Sequence, residues 1–371
     1  MTTAPQFCDF NAGAPALPEV VARFVEVEGR CPGNPASAHG AGRRARAELE
    51  QARQRIATAL GVVAADVVFT SGGTEAANLA VRGLGDPGLP VALAPTEHAA
   101  VHEPAQARGV APWSVDRDGR AIVTQPARPV GLIALVHAQS ELGAVQPVAA
   151  AIALAASLGV PCFVDAAQTL GRLPLGELFA GGAFVALSPH KAGGLRGHGI
   201  LVGPDLAHRL QPLLRGGAQE LGVRPGTQSP ALAAANALAI ELAVREQAAR
   251  AERMAEARTN FLAALTATGA AHRLLTPLAD SLPNTAMVHF PGVDGRNLVP
   301  ALDLAGVQAS HGSACSSGAP TPPRILTSIG LQEAEARACV RFSFGWRDDL
   351  ESLRRTGGRT GEVVRTLQKK I

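Results

Sequence analysis

The chain has no tyrosine at all, and aromatic residues of every kind make up 4% of it. That scarcity, beside abundant alanine and glycine, matches a genomic base bias and says little of function. Only five cysteines occur, Cys8, Cys31, Cys162, Cys315 and Cys339. Their spacing gives no CxxC and no zinc pattern, so no metal site is expected. Five is an odd number, so at least one thiol stays unpaired. The opening "MTTAPQFCDF" has no basic segment followed by an apolar run, so no signal peptide is expected. Both observations fit a reducing cytoplasm. No excess of one charge exists either: 34 basic and 31 acidic residues leave a net charge of +3. They are scattered, and nothing demands nucleic acid or an anionic membrane. One uncharged run, residues 147–164, has transmembrane length. Gly159 and Pro161 interrupt it, so it reads as helix, tight turn and buried strand. Neither GxGxxG nor GxxxxGK[ST] occurs, which removes the usual support for dinucleotide or ATP binding. No repeat, linker or low-complexity tail is found.

What is present is a globular composition of 371 residues, 47% hydrophobic and 18% charged. That length suffices for a large core and two domains. Helical and strand patterns alternate through the first two-thirds. "GRRARAELEQARQRIATALG" predicts a helix stopped by Gly61, "DVVFT" a strand, and "EAANLAVRGLG" a helix. "VGLIALVHA", "PCFVDAA", "AFVALS" and "GILVG" are apolar runs of strand length. The alternation predicts an α/β fold with a mostly parallel sheet covered on both faces. Residues 229–269 read as one long helical stretch. A smaller α+β unit follows, with strands at "NTAMVHF" and "RFSF" and a helix at "EAEARACV", which takes in Cys339.

Six stretches carry candidate chemistry. "DVVFTSGGTEAANLA" runs strand, Gly-rich turn, helix. Backbone N–H groups at Gly73 and beyond, with the Thr74 hydroxyl, make a phosphate cradle, although a plain Thr N-cap explains the same residues. "CFVDAAQTLG" puts Asp165 at the end of a buried strand, where ligands of open α/β sheets bind; a helix-capping Asp is the alternative. "FVALSPHKAGG" repeats that geometry with Ser188, His190 and Lys191, and Lys191 follows Asp165 by 26 residues. A strand-end lysine with an acid on a nearby strand is what pyridoxal phosphate requires. The amine forms a Schiff base, and the carboxylate keeps the ring nitrogen protonated. "TEHAAV" supplies His98, which could stack on a flat ring and move protons, or could simply cap a helix. "VRFSFG" places Arg341 on a strand, as a fork for a carboxylate or as an ordinary ion-paired arginine. Last, "ASHGSACSSGA" holds Cys315 in a stretch too polar for core and too Gly-rich for helix.

Together these pieces resemble the cysteine desulfurases, of the class V aminotransferase group within the fold type I pyridoxal-phosphate enzymes. "DFNAGAP", "GNPASAHGAGRRAR", "TSGGTEAANLA", "TEHAAV", "ELGAVQPV", "FVDAAQTLG", "LSPHK", "RPGT", "LPNTAMVHFPGVDG", "SHGSACSSG" and "VRFSFG" appear in family order over nearly the whole length. The resemblance implies a large pyridoxal-phosphate-binding domain over 13–250 and a small domain over 251–371 with 1–12. It implies Lys191 as the Schiff-base lysine, Asp165 as the acid at the ring nitrogen, and Gln168 near the ring hydroxyl. His98 would stack on the ring. Gly73, Thr74, Ser188 and His190 would hold the phosphate. Thr227 would reach the phosphate in a neighbouring subunit, hence a homodimer. Asn34 and Arg341 would receive the substrate carboxylate, and Cys315 would be the nucleophile that becomes a persulfide. L-cysteine would be the substrate and alanine the product. A sulfur-acceptor protein would follow, for iron–sulfur assembly or tRNA thiolation.

The chain also departs from the family. Gln139 and Ser140 stand where two asparagines are usual, Gly13 and Ala14 where two threonines are usual, and Leu221 where an arginine is common. "APTPPR" makes the segment after Cys315 rich in proline. Two other readings stay open at this stage. One is a selenocysteine lyase or other enzyme of the same fold that does not use Cys315. The other is a non-catalytic partner subunit.

Overall fold

A computed structural model describes residues 5–277, 279–312 and 322–369. Its strands, in chain order, are β1 (Gln6–Phe7), β2 (Val67–Thr70), β3 (Val91–Leu93), β4 (Val110–Pro112), β5 (Leu132–Val136), β6 (Cys162–Asp165), β7 (Phe184–Leu187), β8 (Gly199–Val202), β9 (Arg273–Leu274), β10 (Thr285–His289), β11 (Val307–Gln308) and β12 (Cys339–Ser343). Seven of them form one sheet in the order β2-β8-β7-β6-β5-β3-β4. β8 runs antiparallel to both its neighbours, and the other pairs are parallel.

The apolar runs explain this sheet. Residues of β5, β6, β7 and β8 are buried throughout, as strands covered on both faces must be. Successive side chains divide between two cores with period two. Phe69, Ile133, Leu135, Val164, Val185 and Ile200 enter one core, with the helices Gly40–Leu60, Val148–Leu158 and Pro230–Arg245. Val68, Leu132, Ala134, Phe163, Phe184 and Leu201 enter the other, under the helices Gly73–Gly83 and Ala99–Arg108. A third core gathers Phe261 and Leu265 with Val288, Phe290, Phe342 and Leu353 around the three-stranded sheet β12-β10-β9.

Two expectations are corrected. The stretch 229–269 is two helices, Pro230–Arg245 and Gln247–Ala267, broken at Glu246, whose φ of −99° and ψ of 8° leave the helical range. Cys339 is not helical; it opens β12, opposite His289. The helix before it spans only Glu333–Arg337, and the apolar "CVRF" continues as a buried strand instead. Among the described residues, no helix is long and apolar enough to cross a membrane.

Because β2, β3, β5, β6 and β7 run the same way, their C-terminal ends share one edge of the sheet. Asp165 ends β6, Thr74 lies in the first turn of the helix after β2, and the connections after β3, β5, β6 and β7 carry His98, Ser140, Gln168, Ser188, His190 and Lys191. This edge is where open α/β sheets bind ligands.

Candidate active site

A cleft of about 190 Å³ opens at that edge. It is lined by Gly73, Thr74, His98, Asp165, Gln168, Ser188, His190, Lys191 and Arg341, together with Asn11 and Ser140. Nine of the residues named from the sequence thus converge on one space.

The phosphate-cradle geometry begins at β2. The chain turns at Gly72, and the 11-residue helix Gly73–Gly83 starts with no side chain capping it. Thr74 is therefore not an N-cap, and its hydroxyl is left for the cleft. A Cβ added at Gly73 would meet Ser188 Oγ at 2.3 Å. Only glycine lets the positive end of the helix lie directly against Ser188. His190 follows in the turn Pro189–Lys191. Burial, then the cations of Lys191 and Arg196, push its imidazole down to about 4, so it is neutral near pH 7.

Asp165 ends β6, and its Oδ1 accepts from the Ala167 backbone N–H at 2.9 Å. That bond fixes the carboxylate at the edge of the sheet. Lys191 follows the neighbouring strand, β7. Burial holds its amine down to about 8; Asp165 opposes the shift, Arg172 and Arg341 reinforce it, and Glu141 opposes it. His98 caps the helix Ala99–Arg108, accepting at Nδ1 from the Ala100 N–H at 3.1 Å. The cap leaves Nε2 to carry the ring's hydrogen, so capping and cleft-lining are both true of this residue.

Arg341 sits mid-strand in β12 and is 1% exposed. Its Nη2 pairs with Asp9 Oδ1 at 2.6 Å, and Nη1 donates to the Ser140 carbonyl at 3.1 Å. Its Nε is buried with no partner among the described residues. Ser140 donates its hydroxyl to Glu141 Oε2 at 2.9 Å. Gln168 donates to the Asn11 carbonyl at 2.9 Å. Beneath this layer Glu97 accepts from the Val136 N–H at 2.8 Å, and burial pushes its carboxyl up to about 8.

The model of one known family, aminotransferase class-V, matches residues 6–355. The chain belongs to this family. Its members include a cysteine desulfurase IscS from Dictyoglomus turgidum, 32% identical over 94% of this chain and 92% of that one. An IscS-like cysteine desulfurase from Mycobacterium tuberculosis is also 32% identical, over 91% of each chain. Among solved structures, a NifS-like protein superposes with a TM-score of 0.86 at 27% identity, covering 98% of this chain and 100% of that one. SspA in complex with cysteine superposes at 0.79 and 27%, covering 92% and 99%. The fold is that of the NifS-like class-V aminotransferases.

Two described residues named from the sequence, Asn34 and Thr227, do not line the cleft. Asn34 is exposed, and its Oδ1 accepts from the Ala36 N–H at 2.9 Å. Thr227 is exposed in the loop before the helix Pro230–Arg245. Their sequence neighbours Pro35 and Gln228 line a second groove, together with Ala36 and Leu221. Cys315 lies outside the described residues. The described positions that flank its segment, Gly312 and Pro323, meet beside Glu141: a Cβ on Gly312 would lie 2.5 Å from Pro323 Cγ and 3.2 Å from Glu141 Cγ. The other four cysteines are unpaired. Burial pushes the thiols of Cys162 and Cys339 up to about 12 and that of Cys8 higher still.

Asn11, Glu97, Glu141 and Arg172 were not singled out from the sequence. Asn11, Glu97 and Glu141 stand inside quoted motifs but carry no distinctive spacing. Arg172 in "TLGRLPL" carries no signal at all.

Proposed function

We propose that this class-V aminotransferase is a pyridoxal-phosphate-dependent cysteine desulfurase, converting L-cysteine to alanine with the sulfur taken onto Cys315. The observation that carries the reading is the convergence of Lys191, Asp165, His98 and the Thr74–Ser188–His190 cradle on one cleft. The relatives' names and the cysteine held by SspA support it.

The residues fit the cofactor. Glycine at 73 lets Ser188 Oγ close directly on the helix N-terminus, where an anion is stabilised. The Thr74 hydroxyl and the neutral His190 imidazole complete a phosphate-binding set. Asp165 would hold the ring nitrogen, His98 would cover the ring face, and Gln168 would lie near the ring hydroxyl. Once bound, pyridoxal phosphate supplies an electron sink for the substrate's α-carbon.

The protein's own groups do the rest. Lys191, held down to about 8, offers neutral amine near physiological pH for attachment, and then serves with His98 to take the α-proton. Arg341 receives the substrate carboxylate; its unpartnered Nε is a donor already buried at the cleft. The Cys315 thiolate attacks the substrate sulfur. The S–S bond forms, the substrate C–S bond breaks, and its electron pair passes to the substrate's β-carbon, which is protonated to give alanine. Attack needs the thiolate, and the Glu141 side chain lies beside Gly312, the last described residue before the cysteine segment.

We further propose a homodimer. Asn34 and Thr227 are exposed, each next in sequence to a residue that lines the second groove, which suits a role at the cleft of another copy. The large unit over 13–250 would then bind the cofactor, and the small unit, 251–371 with 1–12, would bring Arg341 and Cys315. The enzyme would work in the cytoplasm and pass its sulfur to an acceptor protein.

The test is incubation with pyridoxal phosphate and L-cysteine. Alanine should be released, and peptide mapping should find one added sulfur on Cys315. Cys315→Ser should keep cofactor binding and lose both. Sulfur on another cysteine, or alanine release by the serine variant at the wild-type rate, overturns the reading.

A further inference from the structure

A guanidinium with no carboxylate partner lies beneath Lys191. Arg172 is 3% exposed. Its Nη1 donates to Asn11 Oδ1 at 2.9 Å, to the Gln168 carbonyl at 3.1 Å and to Gln168 Oε1 at 2.5 Å. Its Nη2 donates to the Phe10 carbonyl at 3.0 Å and to the Lys191 carbonyl at 3.3 Å. Each of these acceptors is a neutral oxygen. A buried cation is ordinarily compensated by an anion. Among the described residues, no acid pairs with this one.

Lys191 is faced by two acids, Asp165 and Glu141, and by two cations, Arg172 and Arg341; His190, next in sequence, is neutral. The cations are not equivalent. Arg341 is balanced by Asp9 at 2.6 Å. Arg172 has no such partner among the described residues; burial and then Arg341 pull its guanidinium down to about 9, which leaves it charged near pH 7.

Arg172 also ties the cleft floor together. Asn11, which it grips, donates to the Ser140 carbonyl at 3.0 Å and to Thr285 Oγ1 at 2.9 Å, and accepts from Asn284 at 3.0 Å. The Asn11 backbone N–H donates to Ser343 Oγ at 3.0 Å. One side chain thereby connects the Lys191 turn, the loop after β6, the N-terminal segment and strands β10 and β12.

We propose that Arg172 is a positioning residue for the cofactor reaction: it anchors the Lys191 backbone and the Gln168 amide, and it sets an unpaired cation beneath the amine that captures the cofactor aldehyde. In that capture the amine's lone pair forms the new bond to carbon and water leaves. The inference rests on the pyridoxal-phosphate reading above.

The experiment uses cofactor-free full-length protein mixed with pyridoxal phosphate, following the absorbance band near ~420 nm that a lysine adduct gives. The initial capture rate is measured across pH. The wild type should reach half its maximum near the depressed Lys191 value of about 8. Arg172→Gln keeps hydrogen-bonding capacity but removes the charge. Its midpoint should rise by about one pH unit, slowing capture at neutral pH about tenfold. Arg172→Lys keeps the charge with fewer hydrogen bonds, and its midpoint should match the wild type. An unmoved midpoint in Arg172→Gln overturns the proposal, as does an equal rise in Arg172→Lys. If Arg172→Gln does not fold, Arg172→Lys decides: a retained midpoint supports the charge role and a rise of about one unit refutes it. A wild type that gives no band at any pH overturns the cofactor reading instead, so the two failures are distinct.

Discussion

Ser140 turns its hydroxyl to Glu141 Oε2 at 2.9 Å, while its carbonyl is held by Asn11 and Arg341. The backbone of this residue therefore matters more than its side chain. Ser140→Ala loses one hydrogen bond, about 0.5–1.5 kcal/mol, and should lower kcat/KM by no more than about tenfold. Steady-state kinetics with L-cysteine would check it; a collapse in rate would mean the hydroxyl contacts the substrate. Glu97 gives a pH signature. Its folded carboxyl is pushed up from 4.5 to about 8. Between those values the folded state binds more protons than the unfolded one, so this group's contribution to stability falls as pH rises through that window. Glu97→Gln keeps an oxygen for the Val136 N–H and removes the titration. The wild type should lose more Tm than Glu97→Gln between pH ~5 and ~8, the span of the raised carboxyl; parallel Tm profiles would refute the assignment. Neither Glu97 nor Arg172 was legible in the sequence. Their importance comes from burial and from which oxygens surround them, and an isolated Glu or Arg carries no trace of either.

The helix Gly73–Gly83 shows an element positioned by what it omits. Gly73 at its start would gain about 1 kcal/mol of helix propensity as alanine, yet the added Cβ would lie 2.3 Å from Ser188 Oγ. Gly73→Ala should therefore push the helix start away from Ser188 and weaken pyridoxal-phosphate binding by at least about tenfold, or about 1.4 kcal/mol. Equilibrium titration of cofactor absorbance would measure it; unchanged affinity would separate this helix from the phosphate. Regular elements were largely legible, because apolar runs bounded by glycine and proline specify strands buried on both faces. The break at Glu246 was not, since "AVREQAAR" holds no glycine or proline to announce it. Cys339 was misread for a related reason: a short capped helix and a buried strand adjoin within "EAEARACVRF", and periodicity cannot divide so short a run.

At the scale of the whole molecule, the cleft gathers most of the expected site but leaves Asn34 and Thr227 outside. Sequence order says which residues belong to a site, not which copy of the chain supplies them. Subunit mixing separates the two cases. Lys191→Ala and Asn34→Ala should each be inactive alone. If Asn34 serves the other subunit's cleft, hybrids regain one intact site in two, and random reassortment should restore about a quarter of wild-type activity. No recovery, with hybrid dimers present by native mass spectrometry, would return Asn34 to its own subunit or to a purely structural task.

The two-sided division of the central sheet has a consequence for how this chain can vary. Asp165 shares its parity along β6 with Phe163, and so points to the side covered by the Gly73–Gly83 helix. Deleting one residue within β6 would move the carboxylate by about 3.3 Å and send it to the opposite face. The same deletion would exchange Phe163 and Val164 between their cores. Errors of reading length inside the strand are thus rejected by the hydrophobic core before they reach the chemistry, whereas insertions in the connections leave strand parity untouched. Length variation among related chains should accumulate in those connections, with the strand that delivers the acid keeping its count.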